Sequence, residues 1–181
     1  MMSLNSLINM IWLQSLWFAA IIGAANQSTW PALLLFAAFA LWHLRPSAGM
    51  TGDFRLMPAA LILGFVLDTA WVRLGWLEFS AAWPVSGQAP LWILLLWAGL
   101  ALTLNHSLGW LQSRLLLSSL LAGLSSPFSY LAAERLGAVR IIADSWLWFP
   151  GIGLSWAIVV PFLLWLARQL NTLPRREKSD D

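Results

Sequence analysis

The sequence predicts an all-α fold, a polytopic transmembrane helical bundle of about six spans with both termini on the cytoplasmic side. Three observations carry this. Of 181 residues, 60% are hydrophobic and only 10% charged, with a mean hydropathy of +0.73, whereas a soluble domain carries roughly 25% charged residues. Apolar runs close to the roughly 20 residues that a bilayer requires alternate with turn chemistry. Many of the 14 tryptophans fall at the ends of those runs, the depth at which indole anchors a helix to the membrane interface.

The first run extends from Asn5 to Ala25. It lacks a preceding Lys or Arg and is too long for the apolar part of a secretory signal, so a retained span is expected. The second covers Trp30 to His43, with Ser28 or Thr29 available as a cap and Pro31 near the first helical position, where its missing N–H costs nothing. The third is Leu56 to Gly75, the fourth Pro90 to Ser107, the fifth Leu115 to Ala133 and the sixth Leu147 to Leu170. A soluble bundle would need charged outer faces, which these runs lack. The transmembrane domain is therefore drawn over 1–173, followed by a short polar cytoplasmic tail at 174–181.

Loop charges set the orientation. With both ends inside, the inner loops hold Arg45, Arg55, Arg114, Arg168, Arg175, Arg176 and Lys178. The outer loops hold Arg73, Arg135 and Arg140, with Glu78, Glu134 and Asp144 nearby. This bias places the chain N-in and C-in as a multi-pass protein of the bacterial inner (cytoplasmic) membrane. Trp30, Trp76, Trp83, Trp92, Trp146 and Trp148 then fall at the outer interface, and Trp42, Trp110 and Trp165 near the inner one. Trp17, Trp71, Trp97 and Trp156 lie deeper, where packing is expected. Arg73-Leu74-Gly75 and Arg135-Leu136-Gly137 form a short internal echo that would relate spans three–four to spans five–six.

Helical spacing sorts the polar residues. Asn5, Asn9, Leu16, Gly23 and Gln27 share one stripe of span one. Ala60, Gly64, Asp68, Trp71 and Gly75 line up on span three, and Trp92, Leu96, Gly99, Thr103, His106 and Trp110 on span four. Asn105 points about 100° from His106 if the helix continues through both. Ser119, Gly123, Ser126 and Tyr130, with Ser118, Ala122, Ser125, Ser129 and Ala132 beside them, give span five a face of small residues interrupted by Pro127. Such a face packs helices closely or walls a cavity.

Asp68 is the sharpest single residue. A carboxylate near mid-span costs roughly 3 kcal/mol unless paired, protonated or hydrated, and intramembrane acids mark sites. Arg135 or Arg140 is expected to reach it. Thr103 and His106 would form the inner end of a polar track whose outer half is Asp68 and Tyr130. Asp53 and Arg55 read as a solvated loop pair. His43 and His106 are read as interfacial, the other reading being a pair of haem ligands. With no Cys, two His, and no Walker loop, dinucleotide fingerprint, HExxH or GxSxG, no cofactor and no metal are expected. Nucleic acid is excluded as a partner because no basic patch with interleaved aromatics exists.

Gly64 to Trp71 (GFVLDTAW), Pro90 to Trp97 (PLWILLLW), Thr103 to Leu111 (TLNHSLGWL) and Pro127 to Ala138 (PFSYLAAERLGA) resemble the signature segments of a bacterial family of small integral membrane proteins, domain-of-unknown-function family 2878. The resemblance covers nearly the whole chain. Genes of that family often neighbour those of lipid-directed methyltransferases and flavin-dependent oxidoreductases. It implies work on or beside acyl chains, with lipid-modifying enzymes as partners, and it makes Asp68, Trp71, Asn105, His106, Tyr130 and Arg135 candidate ligand-binding residues without assigned roles. Thr103 joins them on its helix face. The leading functional expectation is a protein that binds or moves a lipid or other apolar small molecule through an interior lined by spans three, four and five, with Asp68 and Arg135 holding a polar headgroup and Tyr130 and His106 offering hydrogen bonds. Its rivals are an enzyme of lipid modification using Asp68 or His106, and a small-molecule-binding transporter subunit.

Overall fold

A computed structural model describes residues 3–45 and 52–172; the expected tail at 174–181 lies outside them. The described chain is an all-α bundle of six helices: α1 (Leu4–Ala25), α2 (Trp30–His43), α3 (Asp53–Arg73), α4 (Leu91–Ala101), α5 (Leu115–Arg135) and α6 (Trp148–Thr172). Two short strands, β1 (Leu77–Phe79) and β2 (Val139–Ile141), follow α3 and α5.

Helices α1, α3, α5 and α6 are long and apolar enough to cross a membrane. Their outward side chains are oily: Leu116 is 77% exposed, Leu124 68% and Leu154 65%. So much exposed aliphatic surface suits hydrocarbon and would aggregate in water. Inside, Trp92, Leu77, Leu104, Ile152, Leu163 and Leu164 are fully buried, and a smaller cluster of Leu16, Phe39 and Leu102 joins α1 and α2 to the end of α4.

The fourth element departs from the sequence expectation. A helix was expected to Ser107, but α4 has 11 residues and stops at Ala101. At 1.5 Å per residue it is about 16 Å long, far short of a ~30 Å hydrocarbon core. The reason lies in three side chains. Thr103 Oγ1 donates to the Leu100 carbonyl at 2.7 Å, competing for an acceptor that a continuing helix would need. Asn9 on α1 donates to the Leu102 carbonyl at 3.0 Å and accepts from Ser107 Oγ at 2.7 Å. The chain then descends through turns at 102–108, with Thr103, Leu104 and Ser107 buried. Irregular backbone at such a depth is stable only when protein supplies its partners, and Asn9 is one of them.

The internal echo is structural. Gly75 and Gly137 both adopt left-handed backbone, with φ of 69° and 85°. Trp76 N–H bonds the Trp71 carbonyl and Gly75 N–H that of Val72, at 2.9 and 3.1 Å. Ala138 and Gly137 repeat the pattern onto Ala133 and Glu134, at 3.0 and 2.9 Å. These are two Schellman caps. Each launches a strand, and the strands pair antiparallel, Leu77 with Ile141, Glu78 with Arg140 and Phe79 with Val139. Arg140 and Glu78 bond across the exposed face of this ribbon, a contact worth about 0–1 kcal/mol.

The ribbon ties one end of the bundle. At the opposite end, hydrogen bonds gather the end of α2, the start of α3, the turns after α4 and the end of α6, so successive helices run up and down. Among the expected outer tryptophans, Trp30, Trp83 and Trp146 are exposed, whereas Trp92 is fully buried and donates to the Ser80 carbonyl at 2.9 Å.

Because nothing lies near a Cβ built on Gly75, Gly75→Ala isolates the backbone cost. It is expected to lower unfolding free energy in detergent by about 1–2 kcal/mol, the penalty of left-handed backbone for an L-residue. An unchanged denaturation midpoint would remove the cap from the account of the fold.

Candidate functional site

Asp68 lies on the inward stripe of α3 and is fully buried. Tyr130 of α5 donates its hydroxyl to Oδ1 at 2.7 Å, and Trp97 of α4 donates its indole N–H to Oδ2 at 2.8 Å. One carboxyl group therefore joins three helices. Its neighbours follow from the same helical stripe. Gly64, one turn earlier, lets the Trp97 ring lie against the α3 backbone, where a Cβ would collide with it. Trp71, almost one turn later, packs edge-on against the Tyr130 ring at 5.5 Å.

The expected arginine partners are absent from this cluster. Arg140 is engaged by Glu78 on the ribbon, and Arg135, at the last turn of α5, is exposed. Helix geometry explains the miss: Arg135 ends α5 and Arg140 lies in the strand beyond it, both displaced toward the bundle end.

Beside the cluster lies a half-open cleft of about 550 Å³ between α1, α4 and α5, not among spans three, four and five as expected, because the inward face of α3 is filled by Asp68 and its partners; neither Arg135 nor His106 lines it. Leu13, Trp17 and Ile21 form one wall, Trp97 and Leu100 the floor, and Ser126, Ser129 and Ala133 the other wall. Trp156 of α6 also lines it, stacked on Trp97 with ring centroids 4.7 Å apart and planes 21° from parallel. Trp17 bridges the walls by donating to Ser129 Oγ at 3.2 Å. So Trp17, Trp97 and Trp156 are cleft residues as well as packing residues. Two buried polar atoms here lack a hydrogen-bond partner, Ser126 Oγ and Trp156 Nε1. The Trp156 indole is close enough to Tyr130 to interact with it, yet makes no bond of ordinary geometry.

The small face of α5 is divided between both of its expected uses. Toward the start of the helix it packs: Ser119 bonds the Ala157 carbonyl, and Gly123 meets Gly153 and Ala157 of α6 so closely that added Cβ atoms would strain both helices. Farther along, Ser125, Ser126, Ser129 and Ala132 face the cleft.

The remaining candidates belong elsewhere. Thr103 is buried but bonded to its own helix end. Asn105 and His106 converge on Asp53, not Asp68: Asn105 Nδ2 donates to Oδ1 at 2.8 Å and His106 Nε2 lies 2.7 Å from Oδ2. Their 100° divergence vanishes because α4 has already ended. His43 Nε2 is 3.0 Å from the same Oδ2. Asp53 is fully buried rather than a solvated loop residue, and the polar track expected to run from His106 to Asp68 is two separate clusters. The haem reading of the histidines fails on geometry, since the two rings are only 4.8 Å apart, too close to stand on opposite faces of a porphyrin. Sequence reading passed over Asp53 because its short spacing to Arg55 looked self-sufficient; the available signal was a second acid next to a glycine at a helix start.

Residues 6–162 match the family model described as "Protein of unknown function (DUF2878)", and the chain belongs to that family. No curated protein and no solved structure matches it.

Replacing Asp68 tests the cluster directly. Asp68→Leu leaves the Trp97 N–H and Tyr130 hydroxyl unpaired, at about 1–3 kcal/mol each, so a loss of about 2–6 kcal/mol is expected in chemical unfolding. Asp68→Asn keeps one acceptor and one donor and should lose less than half as much. Equal losses for the two variants would show that shape, not hydrogen bonding, holds the three helices.

Proposed function

We propose that this protein binds an apolar small molecule bearing one polar group, a lipid or acyl chain, in the cleft between α1, α4 and α5. The observation that carries the reading is an oily cavity of about 550 Å³ whose lining sets leucine and tryptophan side chains against the small polar Ser125, Ser126 and Ser129. Ligand sites are typically concave, mostly apolar and fitted with a few polar groups that orient the ligand.

The cleft's edge supports hydrocarbon as the source of the ligand. Phe18 and Phe128, both lining residues, are 53% and 61% exposed. An entrance edged by phenyl rings on an aliphatic outer surface admits a molecule from the bilayer more readily than from water. Asp68 then serves as an anchor for the floor: it fixes Trp97 and Tyr130. Its role in the proposal is positional, and Arg135 has none.

The proposed topology keeps both termini in the cytoplasm. Arg45, Arg55, Arg114 and Arg168 lie toward the end that carries Asp53, while Arg73, Arg135 and Arg140 lie toward the ribbon among Glu78 and Glu134. By the positive-inside rule the ribbon faces outward, in the cytoplasmic membrane of a bacterial cell.

Ser129→Phe fills the cleft from the α5 side without touching Asp68. Native mass spectrometry of wild type released from detergent should show adducts of lipid or fatty-acid mass, and Ser129→Phe should lose them while its helical circular dichroism is retained. Wild type without adducts above those of an unrelated membrane protein in the same lipid, or a Ser129→Phe spectrum that keeps them, would overturn the reading.

A further inference from the structure

We propose that His43, Asp53 and His106 form a binding site for a divalent first-row transition metal ion, of the Zn²⁺ or Fe²⁺ class, at the end of the bundle opposite the ribbon. The site is separate from the cleft, shares no residue with its lining, and is independent of the ligand reading above.

The geometry begins with convergence. The three residues come from three places in the chain: the last residue of α2, the first of α3, and the turns after α4. Each presents one donor atom, and all three atoms lie within 4.8 Å of one another. His43 Nε2 and His106 Nε2 approach the same oxygen, Asp53 Oδ2, at 3.0 and 2.7 Å. Ligand atoms around a tetrahedral ion with bonds of 2.0–2.1 Å stand about 3.3 Å apart; the two nitrogen–oxygen separations fall a few tenths of an ångström short of this, and the imidazoles adjust around the ion within the 4.8 Å that spans all three donor atoms. Two imidazoles and one carboxylate are also a recognised donor set for such ions. The absence of cysteine restricts any site in this chain to nitrogen and oxygen ligands.

A layer of supporting hydrogen bonds distinguishes the arrangement from a chance meeting of polar groups. Asn105 Nδ2 holds the other carboxylate oxygen, Oδ1, at 2.8 Å. The Asn105 side-chain oxygen is itself held by Gln112 Nε2 at 2.8 Å and Asn171 Nδ2 at 2.7 Å. Metal-ligating carboxylates are oriented in this way by groups that never touch the ion. Gly52 belongs to the same construction, because a Cβ there would press on Asn171 Oδ1 at 2.8 Å.

Around His43 the surroundings are aromatic. Phe39, Trp42 and Phe54 contact its ring at centroid distances of 5.5, 5.6 and 6.3 Å, fixing the imidazole's position, and Nδ1 has no polar partner. That leaves Nε2 as the atom through which His43 acts. The His106 side chain is 13% exposed while the other two are fully buried, so one side of the site is accessible. Three protein ligands leave at least one position for water or a substrate oxygen, the pattern of sites that act on a ligand rather than merely staple a fold.

The experiment uses the full chain, tag-free and stripped with a chelator, in detergent. One equivalent of Zn²⁺ should bind by isothermal titration, and one of Co²⁺ should give visible d–d bands of a nitrogen–oxygen site. His106→Ala, at the accessible edge, and Asp53→Asn should each weaken Zn²⁺ binding at least 100-fold. Asn105→Ala, a positioning change, should weaken it about 10–100-fold and alter the Co²⁺ bands. Glu78→Gln on the ribbon should change neither. Circular dichroism of the metal-free variants confirms folding, and where His43→Ala does not fold, His106→Ala decides. No stoichiometric Zn²⁺ or Co²⁺ binding to folded wild type, or binding unchanged in both His106→Ala and Asp53→Asn, would overturn the proposal.

Discussion

A single buried carboxyl group, that of Asp68, ties α3 to α4 and α5, and the candidate cleft depends on it. In a bilayer the hydrophobic effect does not press helices together, because lipid tails are as apolar as leucine. Close packing and hydrogen bonds between helices must supply the specificity. Asp68 provides both kinds of constraint in one place. Its oxygens are divided between Trp97 and Tyr130, and Gly64 beneath it makes room for the Trp97 ring. Trp97 in turn stacks on Trp156 of α6, so the same contact carries through to a fourth helix.

Other polar residues repeat the device at other depths. Asn9 secures the end of α4 to α1, Trp17 reaches Ser129 across the cleft mouth, and Asp53 gathers His43, Asn105 and His106. Asn9 and Asp53 stand where the backbone turns, and Trp17 where two helices would otherwise slide. The result is a bundle in which apolar surface faces outward and polar specificity faces inward, the reverse of a soluble domain's emphasis. The short α4 is tolerable because protein groups receive the carbonyls that its early end releases.

Much of this was legible in the sequence. Helix α2 begins and ends at the expected Trp30 and His43, since Pro31 and the following polar residues punctuate it strongly. The stripe containing Gly64, Asp68 and Trp71 was visible from spacing of three and four. What spacing could not show was the end of α4, because Thr103, Asn105 and His106 keep a helical rhythm while Thr103 and Asn9 dismantle the helix through side chain to backbone bonds. That one error separated Asn105 from His106 and hid their shared carboxylate. The cleft was half legible: the small residues of α5 announced it, but their division between α6 packing and cavity wall depends on which helix lies opposite, which periodicity does not encode. Asp68's neutral partners were likewise chosen by tertiary placement, whereas charge alone had pointed to arginine.

The central claim, that the Asp68 carboxyl organises the interior by accepting from Trp97, is most directly tested by nuclear magnetic resonance of the indole N–H groups in ¹⁵N-tryptophan-labelled protein, with Trp97 assigned by Trp97→Phe. The bonded Trp97 N–H should be shifted downfield and should persist long after transfer to D₂O, while the 67% exposed Trp30 exchanges early. A Trp97 N–H that exchanges as fast as that of Trp30, or whose resonance is unmoved by Asp68→Asn, would contradict it.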